Sequence, residues 1–176
     1  MSESTRKHKA EAPKKLAFAI FTVSSSRYQQ LKKREKVEDE SGDLIESMLK
    51  KAGHTIMFRR TVSDDRAMIE EGVCSALFSE GLDATIFCGG TGIAPTDVTI
   101  ETVSPFLEKV LTGFGEIFRR LSFDQIGSAA VLSRAMAGVA KGKVVFCIPG
   151  SADATQLCVE RLILPEAAHI VKHARE

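Results

Sequence analysis

Three glycines and a threonine follow a short apolar run, and their spacing suggests a site for phosphate groups. Residues 84–88 are typical of a buried strand, and Gly89, Gly90, Thr91 and Gly92 come directly after them. Glycine allows a positive φ angle and a close approach of a ligand to the backbone. Successive N–H groups in such a turn can bind an anion, and the hydroxyl of Thr91 adds a donor. The sequence therefore predicts phosphate binding at this turn.

Asp97 lies five residues beyond the last glycine and extends the chemistry of the turn. A carboxylate repels phosphate unless a cation lies between them, and Mg²⁺ commonly binds one or two carboxylates together with phosphate oxygens. A helix that begins shortly afterwards would add partial positive charge at its N-terminus. The spacing fits neither Gly-x-Gly-x-x-Gly nor the Walker sequence. A tight strand–helix turn in which Asp97 is only a helix cap therefore remains an alternative.

Alternating apolar runs and amphipathic segments supply the elements that would position this turn. Strands are predicted over residues 16–23, 55–60, 84–88 and 143–148. Helices are predicted from Ser41, as an N-cap, to Gly53, and over residues 66–79, 99–103, 117–126, 153–164 and 165–173. This order predicts an α/β fold, a three-layer αβα sandwich with a mostly parallel central sheet. Ligands bind at the C-terminal strand ends of such sheets.

A serine-rich turn follows the first predicted strand and contains Ser24, Ser25 and Arg27. Hydroxyl and guanidinium groups at a strand end suit anion binding, and a solvated turn is the alternative. The charged residues 28–40 are predicted to form a solvated loop, or alternatively a flap that closes over a ligand. Because the loops 24–27, 62–65 and 89–97 fall at one edge of the predicted sheet, a shared site is favoured there.

Two further polar segments fall beside predicted strands and helices. Asp64 and Asp65 precede the helix over residues 66–79, and one of them should accept its N-cap hydrogen bonds. Pro149, Gly150 and Ser151 directly follow the last predicted strand and form another small-residue turn at the same edge of the sheet.

The segment between Gly113 and Gly138 mixes small residues with a few aromatic ones. Residues 113–116 are predicted to break the helical pattern. Ser133 and Arg134 follow in a small-residue stretch, where the guanidinium could form a surface salt bridge or bind phosphate in a bidentate manner. Phe118 and Phe123 are expected to pack in the core or between subunits, since the chain has one Tyr and no Trp for a base-stacking platform.

The composition excludes several classes of function. A net charge of +1 argues against nucleic-acid binding by a basic surface. No apolar run approaches the roughly 18 residues of a membrane span, and the N-terminus lacks the apolar core of a secretion signal. The four cysteines lack metal-ligand spacing and three of them lie in apolar stretches, which predicts reduced core thiols in a cytoplasmic protein. No metal site or nucleophilic triad built on the four histidines is expected. Residues 1–15 are predicted to be a disordered tail, and residues 16–176 a single domain.

Several of these motifs together resemble one family, the MogA/MoaB proteins of molybdenum cofactor biosynthesis. The resemblance runs from about Leu16 to His173, and the stretch from Gly113 to Val139 is most similar to the MoaB branch. The matching motifs, in chain order, are Gly89-Gly90-Thr91-Gly92 with Asp97, Gly113-Phe114-Gly115-Glu116, Ser133-Arg134-Ala135-x-Ala137-Gly138 and Pro149-Gly150-Ser151.

The resemblance implies an activity and a set of site residues. The activity is adenylylation of molybdopterin with ATP and Mg²⁺, releasing pyrophosphate. Asp97 and Asp64 resemble the catalytic, magnesium-binding acidic pair, with Asp65 the less favoured partner. The resemblance also gives binding roles to three groups of residues: Ser24, Ser25 and Arg27 in the first loop, Ser133 and Arg134 at pterin or phosphate, and Pro149, Gly150 and Ser151 at the nucleotide.

The sequence departs from the family pattern at two positions. Cys88 stands where the family usually has Thr, and Thr96 stands where Arg is common, which removes a positive charge beside the reacting phosphates. A catalytically weak molybdopterin-binding or scaffold protein is therefore an alternative, as is an unrelated nucleotide-binding module of the same fold class. The family also implies a homotrimer or hexamer and contact with other cofactor-synthesis proteins, with Phe114, Phe118 and Phe123 as candidate interface residues.

Overall fold

The computed structural model describes residues 11–176, so most of the predicted disordered tail lies outside the described residues. Six strands form one sheet in the order β2-β1-β3-β6-β5-β4. Their bounds are β1 Ala17–Val23, β2 Thr55–Val62, β3 Ala84–Cys88, β4 Lys109–Val110, β5 Met136–Ala140 and β6 Lys143–Ile148. The four predicted strands are thus confirmed, and β4 and β5 are additional.

Parallel pairing brings the ends of four strands to one edge of the sheet. β2, β1, β3 and β6 are mutually parallel, whereas β5 is antiparallel to β6 and β4 is antiparallel to β5. In this register Val62 pairs with Val23, and Cys88 pairs with both Thr22 and Ile148. The turns that follow β1, β3 and β6 therefore begin side by side, as predicted for a mostly parallel sheet.

Helices cover both faces of the sheet. They are α1 Ser25–Lys32, α2 Glu40–Lys51, α3 Arg66–Phe78, α4 Thr99–Val103, α5 Thr112–Ile126, α6 Ala152–Cys158 and α7 Leu164–Ala174. Two 3₁₀ turns lie at Ser104–Phe106 and Gly127–Leu132, and the π-helical turn Val159–Ile163 joins α6 to α7.

The alternation of side chains along β1 shows how the two apolar cores form. Phe18 and Ile20 pack with α2, α5, α6 and α7 on one face, whereas Ala19 and Phe21 pack with α3 and α4 on the other. Successive side chains of a strand point to opposite faces, so a continuous apolar run is buried on both sides. The αβα sandwich expected from the sequence is therefore confirmed.

Three predictions of local structure are wrong. Residues 28–32 belong to α1 rather than to a loop. This helix buries no side chain, so it has no apolar stripe, and Ser24 caps it by accepting from the N–H of Arg27. The second helix begins at Glu40 with Asp39 as its N-cap, not Ser41. The predicted break at residues 113–116 lies inside α5, where a Cβ on Gly115 would overlap the carbonyl oxygen of Ala135.

Two simpler observations concern the cysteines and the helices. Cys88, Cys147 and Cys158 are buried free thiols, as expected for core residues, whereas Cys74 is exposed. Within residues 11–176, the structure contains no helix with the length and apolar character needed to cross a membrane.

Candidate active site

The turn after β3 is held in a conformation that only glycine tolerates. Gly89 and Gly90 have φ angles of 109° and 61°. A Cβ on Gly89 would overlap the carbonyl oxygen of Val23, and one on Gly90 would overlap the hydroxyl of Thr99. That hydroxyl donates to the carbonyl oxygen of Gly89 at 2.8 Å, and the N–H of Thr99 donates to the carbonyl oxygen of Gly90 at 2.9 Å. The start of α4 thus fixes the turn.

Asp64 lies against this turn and is held by Ser25. The N–H and the hydroxyl of Ser25 both donate to Oδ2 of Asp64 at 2.7 Å. The N–H of Asp64 donates in return to Oγ of Ser25 at 3.0 Å. Oδ1 of Asp64 lies 3.0 Å from the position of a Cβ on Gly90. Because Asp65 caps α3 by accepting from the N–H of Met68, Asp64 is the aspartate next to the glycine turn.

Asp97 lies at the other end of the same turn. Its Oδ2 accepts from the N–H of Ala94 at 2.9 Å, and the carboxylate packs against Gly92. Both aspartates are half-buried at the carboxyl edge of the sheet. Among residues 11–176, no hydrogen bond engages Oδ1 of either carboxylate. Each residue therefore has one oxygen that could bind a cation.

This donor set fits Mg²⁺. Within the described residues there is no group of three or more His, Cys, Asp or Glu side chains able to hold a metal. Mg²⁺ does not need such a group, since it usually binds one or two carboxylates and takes its remaining oxygens from water and substrate phosphates. Asp64 and Asp97 are the residues that could hold it.

A cleft of about 520 Å³ opens in front of the glycine turn. This volume lies within the range of roughly 300–1,000 Å³ that is usual for small-molecule sites. The predicted residues that line it are Ser24, Arg27, Gly89, Gly90, Thr91, Gly92, Asp97, Ser133, Arg134, Pro149, Gly150 and Ser151. Ser25 and Asp64 are not in the lining. The other wall is partly apolar, with Phe118, Ile126, Leu132 and Leu157.

The two arginines of the cleft are each held by neighbouring groups. Nε of Arg27 donates to the carbonyl oxygen of Glu38 at 3.0 Å. Nη1 of Arg134 donates to the carbonyl oxygen of Gly92 at 3.1 Å, and its Nη2 forms an ion pair with Glu101. Burial alone would raise the pKa of Glu101, but the hydrogen bond from Arg134 lowers it. Arg134 therefore forms the predicted salt bridge and also lines the cleft, and its binding of phosphate stays a prediction.

A buried polar network centred on Asp39 was not predicted from the sequence. Asp39 accepts hydrogen bonds from Oγ1 of Thr22 at 2.5 Å, from Nη2 of Arg59 at 2.7 Å and from the N–H of Gly42 at 3.2 Å. Burial would raise the pKa of Asp39, but these hydrogen bonds lower it. Ser41, next to this cap, donates to the carbonyl oxygen of Gly150 at 2.6 Å. The network therefore ties the start of α2 to the loop after β6.

Cys88 lies under the turn after β6 and not in the lining of the cleft. Its thiol donates to the carbonyl oxygen of Pro149 at 3.4 Å, and Thr155 donates to the same oxygen at 3.0 Å. Burial raises the pKa of the Cys88 thiol to about 11. It therefore stays protonated at neutral pH, so this departure from the family pattern adds no nucleophile to the site.

Fold and site together define a class: an α/β protein with a glycine turn, two flanking aspartates and a cleft of small-molecule size at the carboxyl edge of its sheet. A family model described as "Probable molybdopterin binding domain" matches residues 19–169. The chain belongs to this family, which includes the MoaB and MogA proteins. The family match excludes an unrelated nucleotide-binding module.

Individual relatives cover nearly the whole chain. It is 44% identical over 168 residues to molybdenum cofactor biosynthesis protein B of Bacillus anthracis, which covers 95% of both chains. It is 41% identical over 173 residues to a protein of Pyrococcus furiosus named molybdopterin adenylyltransferase, covering 96% of this chain and 97% of the other. A crystal structure of molybdenum cofactor biosynthesis protein B superposes with a TM-score of 0.85 at 42% identity, covering 94% and 99% of the two chains.

Proposed function

We propose that this protein acts in molybdenum cofactor biosynthesis by transferring AMP from ATP to molybdopterin. The observation that carries the proposal is the placement of Asp64 and Asp97 against Gly90 and Gly92 beside the cleft. The name molybdopterin adenylyltransferase, given to the relative from Pyrococcus furiosus, supports the same reaction.

The residues of the cleft suit a reaction in which the substrate provides the nucleophile. Among the described residues that line the cleft there is no His, Cys or Lys. In the proposed reaction a phosphate oxygen of molybdopterin attacks the α-phosphorus of ATP, and the bond from that phosphorus to the bridging oxygen breaks as pyrophosphate leaves. Nucleotidyl transfer of this kind depends on positioning and charge neutralisation more than on a covalent intermediate.

The chain's own groups supply that positioning. The N–H groups of the glycine turn and the hydroxyl of Thr91 orient phosphate oxygens, and the guanidinium groups of Arg27 and Arg134 add positive charge along the cleft. Asp64 and Asp97 would hold Mg²⁺, which neutralises charge on the phosphates when it is bound. The apolar wall that includes Phe118 and Leu157 would cover a flat heterocycle and exclude water from it.

The direct test is release of pyrophosphate from ATP. The protein is mixed with ATP and Mg²⁺, with and without molybdopterin, and pyrophosphate is measured continuously. We expect release only when molybdopterin is present, in an amount equal to the molybdopterin added. Absence of release, with molybdopterin binding retained in a separate calorimetric titration, would contradict the enzymatic assignment.

A molybdopterin-binding or scaffold protein with weak catalysis is the second candidate. Thr96 favours it, because this position carries no positive charge beside Asp97. The pairing of Arg134 with Glu101 also favours it, since it withdraws part of the guanidinium from substrate. Molybdopterin binding without pyrophosphate release would support this candidate.

The assembly and location of the protein are also proposals. Among the candidate interface residues, Phe114 and Phe118 are buried in the core of the subunit, which leaves Phe123, at 57% exposure. Ile117, Ile126, Val131 and Leu132 on α5 and the following 3₁₀ turn are also exposed apolar residues. We propose that this surface joins subunits into a homotrimer or hexamer in the cytoplasm. Contact with other cofactor-synthesis proteins stays a prediction.

A further inference from the structure

The main chain and the side chain of Ser25 are both directed at Asp64. The amide nitrogen and Oγ of Ser25 each lie 2.7 Å from Oδ2 of Asp64, and the amide nitrogen of Asp64 lies 3.0 Å from Oγ of Ser25. Oγ of Ser63 is 2.9 Å from the same Oγ. Because an ionised carboxylate only accepts hydrogen bonds, the hydroxyl of Ser25 must donate to Asp64. This hydroxyl then accepts from Ser63 and from the N–H of Asp64.

These contacts use the whole hydrogen-bonding capacity of the Ser25 side chain. A hydroxyl has one proton to donate and two lone pairs that accept. The proton goes to Asp64, and the lone pairs accept from Ser63 and from the main chain of Asp64. Ser24 and Arg27 line the cleft, whereas Ser25 does not. Ser25 therefore has no donor left for a phosphate oxygen of a substrate.

The two hydrogen bonds from Ser25 decide which oxygen of Asp64 is available. Both donors engage Oδ2, so Oδ1 is the oxygen beside the glycine turn, 3.0 Å from the position of a Cβ on Gly90. Without the hydroxyl the carboxylate has more freedom to rotate, since the terminal torsion of an aspartate is broad. A carboxylate that is already fixed loses less conformational freedom when it binds a cation, and therefore binds it more tightly.

On the basis of the function proposed above, we propose that Ser25 is a positioning residue, which orients Asp64 toward the divalent cation and does not itself bind substrate. Hydrogen-bond partners of a metal ligand typically contribute about 10–100-fold to metal affinity or activity. The effect of the Ser25 hydroxyl lies at the lower end of this range, because the N–H of residue 25 still donates to Asp64 when the hydroxyl is removed.

The same contact attaches the first turn of α1, which buries no side chain. The start of this helix is held by Ser25 on Asp64 and by the N–H of Ser24, which donates to the carbonyl oxygen of Val62 at 2.9 Å. A carboxylate at a helix N-terminus is favourable, since it meets the positive end of the helix dipole. Ser25 thus joins the loops 24–27 and 62–65 at the point where the cation would bind.

The first test measures the binding of Mn²⁺ alone, an ion that shares the preference of Mg²⁺ for oxygen ligands. Titrations of the full chain are followed by the electron paramagnetic resonance signal of the free ion. Ser25→Ala should weaken Mn²⁺ binding by about tenfold, whereas Ser25→Thr, which keeps a hydroxyl, should restore it to within about twofold of the unaltered protein.

The matched control is Ser26→Ala, at the next residue of α1. Oγ of Ser26 lies 3.2 Å from Oγ of Ser24, and among the described residues it forms no hydrogen bond with Asp64. Its Mn²⁺ affinity should stay within about twofold of that of the unaltered protein. Thermal unfolding of every variant shows that the fold is retained.

The second test measures pyrophosphate release over a range of Mg²⁺ concentrations. Ser25→Ala should raise the Mg²⁺ concentration for half-maximal rate by about tenfold and leave the maximal rate within about threefold, because a positioning residue changes how the cation is bound. A lower maximal rate with an unchanged Mg²⁺ requirement would overturn the proposal, since it would indicate a direct role toward substrate.

The Mn²⁺ titration decides the proposal even without catalysis. Equal Mn²⁺ affinity in Ser25→Ala and the unaltered protein, no recovery in Ser25→Thr, or an equal loss in Ser26→Ala would each overturn the positioning role. Absence of saturable Mn²⁺ binding by the unaltered protein would overturn it as well. The expected Mn²⁺ affinities without any release of pyrophosphate would support the positioning role and contradict only the proposed enzymatic function.

Discussion

Asp64 and Asp65 are neighbours with the same side chain, and the structure gives them different partners. Asp65 accepts from the N–H of Met68 and caps α3, whereas Asp64 accepts two hydrogen bonds from Ser25 beside the glycine turn. Asp64→Asn should lower the rate of pyrophosphate release by about a hundredfold, since an amide binds a divalent cation weakly. Asp65→Asn should leave the rate within about twofold, because Asn caps a helix as well as Asp does.

The measurement is pyrophosphate release at fixed ATP, molybdopterin and Mg²⁺, with circular dichroism to check the fold of both variants. Equal losses of rate in the two variants would show that both aspartates act only by stabilising the conformation of the loop. A loss confined to Asp65→Asn would show that Asp65, and not Asp64, has the catalytic role.

The ionisation of Asp39 should make the free energy of unfolding depend on pH at acidic pH. Burial alone would raise its pKa, but hydrogen bonds from Thr22, Arg59 and Gly42 lower it below the ordinary value of 3.8. A carboxyl whose pKa is lower in the folded state stabilises the fold above the unfolded-state pKa, and this contribution is lost as the pH falls through the folded-state pKa. Asp39→Asn should therefore lower the free energy of unfolding by about 2 kcal/mol at pH 7.

Urea unfolding at pH 7 and at a series of lower values measures this effect. The difference between Asp39→Asn and the unaltered protein should shrink once the pH falls below 3.8, the ordinary pKa of the carboxyl. The control is Asp43→Asn, since Asp43 pairs with the same Arg59 but its side chain is 73% exposed. It should change the free energy of unfolding by about 0.5 kcal/mol or less. A pH-independent difference for Asp39→Asn would contradict the account.

At the scale of elements, the turn after β3 depends on two glycines at positive φ. Gly90→Ala should lower turnover by at least about tenfold, because a Cβ there meets Thr99 and Asp64 and shifts the aspartate. Gly53, just beyond α2, has a φ of 88° and no atom within 4 Å of its Cβ position, so Gly53→Ala is the control. Gly53→Ala should destabilise the protein by about 1–2 kcal/mol through backbone strain alone. Gly90→Ala should destabilise it more, because the overlap with Thr99 adds to the same strain.

Steady-state kinetics and thermal unfolding of the two variants separate the effects. The expected result is a lower melting temperature in both proteins, with the larger loss in Gly90→Ala, and a loss of turnover only in Gly90→Ala at a temperature where both are folded. Unchanged turnover in Gly90→Ala would mean that the shape of the turn does not determine the activity.

The sequence predicted those elements whose pattern comes from burial. β1, β3 and β6 are buried on both faces and read as continuous apolar runs, and α3 carries an apolar stripe that includes Ile69 and Val73. α1 was missed because it packs none of its side chains in the core, so no periodicity marks it. The break predicted around Gly115 is wrong because this glycine allows a close approach of α5 to Ala135. That contact joins segments that are distant in the sequence.

The part of the candidate site that comes from one continuous segment of the chain could be predicted from the sequence. Glycines, Thr91 and Asp97 follow one strand directly, so their placement follows from the strand itself. Asp39 was hidden in a run of charged residues, and its role depends on Thr22 and Arg59, which come from two different strands. A buried acid in a charged segment cannot be recognised until the strands that surround it are placed.

At the scale of the whole molecule, an exposed apolar surface on α5 should hold subunits together. Phe123→Ser should shift the protein toward monomers, because it removes an aromatic side chain from that surface. Phe78→Ser is the control, since Phe78 is 70% exposed at the end of α3, where Lys141 lies over its ring. Light scattering after size-exclusion chromatography measures the mass. A monomeric unaltered protein, or dissociation by Phe78→Ser alone, would contradict the proposed interface.

The central claim is that Asp97 and the glycine turn bind reacting phosphates through a divalent cation, and Asp97→Asn tests it most directly. Pyrophosphate release is measured over a range of Mg²⁺ concentrations, with molybdopterin binding and thermal unfolding determined on the same samples. We predict a loss of at least about a hundredfold in turnover that added Mg²⁺ does not restore, with fold and molybdopterin binding retained. Turnover equal to that of the unaltered protein at the same Mg²⁺ concentration would contradict the account.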